Sequence, residues 1–227
     1  MSNWFTYHHI DRQDQSFYKR KKKVVYILVS LLIIFFGSWL VMAVLKSSGI
    51  NPFFPSQKTH HPSRLSGFFS PSVGYWQEEI FTWADVYGLD PLLIATVMQI
   101  ESCGDPHAVS PAGAQGLFQV MPYHFQPDED MLDPQTNARG GLTYLQQSLS
   151  KSNGDIKLAL AGYNGGHSQI NRNPTHWPAE TKRYVYWGFG LYQDALGNND
   201  TGKALNEWLS AGGRYLCQQA ANRLDLP

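Results

Sequence analysis

The chain has 227 residues, with 18 lysines and arginines against 18 aspartates and glutamates. The neutral total hides a split: residues 1–23 carry six basic residues (Arg12 and the run Lys19 to Lys23) against Asp11 and Asp14, a net charge of +4, and the remaining 12 basic and 16 acidic residues leave −4. The larger part is therefore not basic, which argues against nucleic acid as its partner.

Residues 24–45, Val24 through Leu45, form an uncharged apolar run of 22 residues. At helical rise this is roughly 33 Å, enough to cross a bilayer core. The basic run Lys19-Arg20-Lys21-Lys22-Lys23 abuts it, so the positive-inside rule keeps residues 1–23 cytoplasmic and places everything after Lys46 outside. A cleaved signal peptide is the competing reading. Its apolar core is shorter, about 7–15 residues, and its basic leader is short, which favours an uncleaved single-pass anchor. Residues 46–72 are rich in Pro, Ser and His and read as a flexible linker. His60-His61 has no ligand partner at suitable spacing, so no metal is expected.

Residues 73–227 have the length of one domain, mainly α-helical by periodicity. Trp76, Ile80, Trp83, Ala84 and Tyr87 recur at three- and four-residue spacing and predict a first helix. Asp90 reads as the N-cap and Pro91 as the first residue of a second helix, with Ile94, Val97 and Met98 on one face. That helix delivers Glu101 to its C-terminal end. Apolar surroundings and the negative end of the helix dipole both disfavour a charged carboxylate there. A carboxyl kept protonated near neutral pH suits a general acid, although a lone glutamate at a helix end is more often a solvated surface group.

Downstream, Ser110-Pro111-Ala112-Gly113-Ala114-Gln115-Gly116 suggests a loop whose backbone approaches something closely. Gln119 and Met121 point the same way if their segment is extended. Leu158 to Gly166 reads as a short helix stopped by glycines, with Tyr163 and Asn164 at its end. Pro178-Ala179-Glu180 opens another helix, and Leu205 to Leu224, interrupted by Gly212-Gly213, reads as a helical pair. Trp83, Trp177, Tyr184, Tyr186 and Trp187 are either core or platforms for sugar stacking.

Four segments in order, Glu101-Ser102, Gly116-Leu117-Phe118-Gln119, Ala161-Gly162-Tyr163-Asn164 and Glu180-Thr181-Lys182-Arg183-Tyr184-Val185, resemble the signatures of the soluble-lytic-transglycosylase (SLT) domain, a goose-type-lysozyme-like fold. Asp133-Pro134 to Asn137 and Gly140 to Leu145 also resemble its interior helix, and the likeness covers roughly residues 75–192. The resemblance implies Glu101 as the single catalytic acid/base, with the Tyr163 hydroxyl beside it. Ser102, Ser110, Gln119, Met121 and Asn164 would contribute to substrate binding. Glu180 would be a second glutamate facing the cleft, or else a carboxylate favoured by its helix N-terminus. Phe118 stands where methionine is common and is expected to keep an apolar wall. Gly162 and Gly165 stand where alanines are usual and are expected to loosen the Tyr163 segment.

The implied reaction is cleavage of the MurNAc-β-1,4-GlcNAc bond of peptidoglycan glycan strands to 1,6-anhydro-MurNAc ends, by a bacterial inner-membrane lyase with an extracytoplasmic domain and no cofactor. A hydrolytic muramidase of the same fold and a non-catalytic peptidoglycan-binding module are the alternatives. Wall remodelling, an envelope-spanning conjugation or secretion apparatus, and a phage programme are all compatible with these residues. Cys103 and Cys217 both fall outside the membrane, where an oxidising compartment permits a disulfide; paired or buried as two thiols, they remain open.

Overall fold

The computed structural model describes residue 65, residues 67–197 and residues 202–227. The expected basic leader, the apolar span 24–45 and the linker up to residue 64 lie outside the described residues. Among the described residues, no helix is long and apolar enough to cross a membrane.

Among the described residues, eight α-helices follow in order: α1 (Pro71–Gly74), α2 (Gln77–Tyr87), α3 (Pro91–Glu101), α4 (Pro134–Lys151), α5 (Ile156–Gly165), α6 (Ala179–Leu196), α7 (Lys203–Trp208) and α8 (Arg214–Arg223). Three of them start as local chemistry dictates. Asp90, Asp133 and Asp155 each turn a side-chain oxygen to a free amide of the first turn, accepting from Leu92 N at 2.8 Å, Thr136 N at 2.8 Å and Leu158 N at 3.0 Å.

Helix α3 is the centre of the domain. The sequence suggested one apolar face, but every residue from Leu93 to Gln99 is buried. A helix apolar on all sides must be enclosed on all sides, and α2 and α6 pack against it. Its N-terminus is held a second time by the Tyr192 hydroxyl of α6, which donates to Asp90 Oδ2 at 2.6 Å. Helix α5 packs between α4 and α6. Between α3 and α4 the chain is irregular, braced by antiparallel bridges between Val109 and Gln115 and between Gln115 and Val120.

The folded region starts earlier than the expected boundary at residue 73. Leu65, Phe68 and Phe69 are buried in the core, because three large apolar side chains this close to the domain gain more by burial than by remaining in a solvated linker. The tail is the anticipated helical pair. The residues joining α7 to α8, Leu209–Gly213, form one wide turn with Gly212 at φ 125°. Gly213 is needed there because a Cβ would overlap the Trp208 ring.

Candidate active site

Glu101 is the last residue of α3, partly buried. Burial pushes its carboxyl pKa up to about 8, and the negative charge of Glu180 pushes in the same direction. The Tyr184 hydroxyl opposes them by interacting with the carboxyl. That hydroxyl is buried beside the acid.

Tyr163, in the last turns of α5, stacks on Tyr184 with ring centroids 6.4 Å apart and planes 20° apart. Its hydroxyl donates to the Phe118 carbonyl at 2.8 Å. Burial first, and the Glu101 carboxylate second, raise both phenols well above their ordinary range, so both stay neutral. The rings continue outward. Tyr163 meets Tyr144 edge-on at 5.9 Å, Tyr144 stacks on His167 at 4.2 Å, and His124 lies 5.1 Å from Tyr144. An open pocket of about 250 Å³ is lined there by His124, Arg139, Thr143, Tyr144, Gln147 and His167.

The loop between α3 and α4 is wired by Asn137 of α4. Its Nδ2 donates to Gln115 O at 2.7 Å and Met131 O at 2.9 Å, and its Oδ1 accepts from Phe118 N at 2.9 Å. Gly116, at φ 73°, lies against that amide, where a Cβ would collide with it. The close backbone approach expected of this loop is thus an approach to Asn137. No local pattern in the sequence marks a buried asparagine on an otherwise ordinary helix, so its role was missed.

The other expected site residues divide. Ser102 is fully buried: its hydroxyl donates to Leu117 O at 2.8 Å and accepts from Gly104 N at 3.0 Å, and so it joins α3 to the loop. Ser110 is partly exposed, with its hydroxyl accepting from Ala114 N at 3.0 Å. Gln119 is not extended: its φ is 45°, and its Nε2 donates to Ala108 O at 3.1 Å and Gly116 O at 3.0 Å. Gln119 and Met121, which is extended at ψ 142°, therefore do not share the alternation of one strand. Asn164 is partly buried within α5, and Glu180 is exposed in the first turn of α6, near enough for its charge to act on Glu101.

Three other expectations need correcting. Phe118 forms core rather than a wall: its ring is fully buried edge-on against Trp83, and only its backbone serves the site. Gly162 and Gly165 do not loosen the Tyr163 segment. Each lies inside α5 where a Cβ would come within 2.7 Å of Ile170 and 2.6 Å of Thr181 respectively, so they permit tight packing. Of the suggested sugar platforms, Trp83, Trp177 and Tyr184 are buried, and the two indole N–H groups donate inward, to Gln135 Oε1 at 2.8 Å and Gln169 O at 2.9 Å. Tyr186 is exposed, with Trp187 packed against it. The cysteine question resolves as a disulfide between Cys103 and Cys217.

Residues 78–184 match the family model described as the transglycosylase SLT domain. The chain is 40% identical over 111 residues to a transglycosylase of Enterobacteria phage PRD1, covering 48% of this chain and 40% of that protein. It is 32% identical over 108 residues to membrane-bound lytic murein transglycosylase F 1 of Alkalilimnicola ehrlichii, covering 44% and 21%. A crystal structure of an inactive mutant of the lytic transglycosylase Slt of Pseudomonas aeruginosa aligns with a TM-score of 0.45 at 26% identity, over 55% of this chain and 24% of that one. The chain thus spans less than half the length of these relatives. Over residues 78–184, the chain is thus similar to the transglycosylase SLT domain.

Proposed function

We propose that the chain is a lytic transglycosylase that cleaves peptidoglycan glycan strands, with Glu101 as both acid and base. The observation that carries this is a carboxyl held to about pH 8 by burial, beside two neutral tyrosines. Ordinary glycosidases flank the bond with two carboxylates. Here the second, Glu180, is exposed on α6, and its charge serves to keep Glu101 protonated.

In the first step Glu101 gives its proton to the bridging glycosidic oxygen, the bond from the sugar's C1 to that oxygen breaks, and positive charge develops on the ring. The Tyr163 proton is committed to Phe118 O, so the phenol oxygen offers lone-pair density to that cation. In the second step the Glu101 carboxylate takes the proton of the sugar's own 6-hydroxyl as that oxygen attacks C1 and closes a 1,6-anhydro ring. No water is consumed, and the acid is regenerated. Proton transfer by a placed group contributes roughly 10²–10⁴-fold, and the tethered hydroxyl adds the advantage of an intramolecular nucleophile. Ser110, Gln119, Met121 and Asn164 are assigned to holding the strand, with an anchor at residues 24–45 placing the domain on the outer side of a bacterial inner membrane.

The test is product analysis on purified sacculi by mass spectrometry. Muropeptides with anhydro ends, one water lighter than reducing-end products, support the proposal. Reducing ends identify a hydrolase, and binding without products identifies a non-catalytic module.

A further inference from the structure

The residues on either side of the SLT match contribute groups to one place, the four residues that follow Glu101. From the N-terminal side, the Ser72 hydroxyl donates to Cys103 O at 2.6 Å and Trp76 Nε1 donates to Gly104 O at 2.9 Å. From the C-terminal side, Cys217 of α8 is bonded to Cys103, and Arg223 Nε pairs with the buried Asp105 at 3.5 Å. Gln99 binds the two sides together. Its amide oxygen accepts from Ser70 N at 3.0 Å, and its amide nitrogen donates to the sulfurs of Cys103 at 3.0 Å and Cys217 at 3.3 Å.

The backbone braced in this way is not relaxed. Cys103 has φ 52° and Gly104 φ 85°. A left-handed conformation at a non-glycine residue persists only where the surroundings fix it. Within residues 78–184, the Ser102 hydroxyl ties this exit to Leu117 O. The direction in which α3 presents Glu101 therefore depends on atoms outside the family domain, and the covalent one among them is Cys217.

We infer that Cys217, through its bond to Cys103, is a positioning residue for Glu101, and that reduction of this bond by a dithiol slows catalysis while leaving the domain folded. The step balances. A reductant thiolate attacks the Cys217 sulfur, which belongs to a partly exposed residue, and the buried Cys103 sulfur leaves as thiolate and takes a proton. The reductant's second thiol then frees Cys217, so two electrons and two protons pass to the protein and the reductant leaves as its disulfide.

This inference rests on Glu101 being the acid, and its test separates the two. The full chain is assayed on sacculi from pH 6 to 9, oxidised and after dithiothreitol, with thiols counted by alkylation and folding followed by circular dichroism. Reduction is expected to lower kcat by between about 10- and 100-fold, the scale of a displaced catalytic group, with KM changed by less than about twofold. The alkaline limb should move down from about pH 8 as the carboxyl gains solvent, and re-oxidation should restore both. Cys217→Ser should have the reduced protein's kcat and limb and be indifferent to dithiothreitol. Unchanged kcat and limb on reduction would overturn the inference. So would loss of the fold, since the bond would then be a general staple. If the oxidised chain cleaves no sacculi, the functional reading fails, and carbon-13 NMR titration of Glu101 in both redox states still decides the positioning: equal pKa values overturn it.

Discussion

Replacing Glu101 with glutamine should make the protein more stable, and more so as the pH rises. The folded carboxyl keeps its proton up to about pH 8, against 4.5 for the free side chain. Between these values the folded state binds a proton that the unfolded chain has released, so wild-type stability falls with rising pH, at about 1.4 kcal/mol per pH unit. Counted from pH 4.5, the loss is on the order of 3 kcal/mol at pH 7 and 4 to 5 kcal/mol above pH 9; the partial exposure of Glu101 makes these upper values. Glutamine keeps the shape and has no proton to lose. For a domain of this size each kcal/mol moves the melting temperature by roughly 2–4 °C. The melting curves of wild type and Glu101→Gln should therefore coincide near pH 4.5 and separate by up to about 10 °C at pH 7. Thermal melts across this range at fixed ionic strength are the assay. Parallel curves from pH 4.5 to 9 would refute the claim that a neutral acid is held in the core.

Further outcomes follow from the same geometry. Tyr184→Phe should move the alkaline limb of the pH–rate profile upward, because that hydroxyl lowers the Glu101 pKa. Tyr163→Phe removes the bond to Phe118 O; roughly 10²-fold in kcat is expected from losing a preorganised polar group at the reacting centre, with roughly 1–3 kcal/mol lost by denaturant melting for the carbonyl left unpaired. Asn137→Ala should cost roughly 2–4 kcal/mol in the same measurement, since it strips three hydrogen bonds from the loop between α3 and α4.

The sequence revealed features whose causes are local. The Asp90 cap, one helix carrying Glu101 to its end and a second carrying Tyr163 are readable because capping and helical period act within a few residues. The features it concealed depend on contacts distant in the chain. Asn137 reaches Phe118 across 19 positions, and Tyr184, read as core or a sugar platform, turns out to face the acid because α6 returns to α3. Gly162 and Gly165 show the limit most clearly: a missing side chain reads as looseness until the neighbouring Ile170 and Thr181 are seen to occupy its space.

The central claim, that a single carboxyl does both proton transfers, is tested most directly by digestion of purified sacculi with the full chain and its Glu101→Gln variant at equal concentration near neutral pH. The account predicts soluble anhydro products from the wild type and a rate at least roughly 10²-fold lower from the variant, with sacculus binding retained. A variant that releases the same products at the wild-type rate would contradict it.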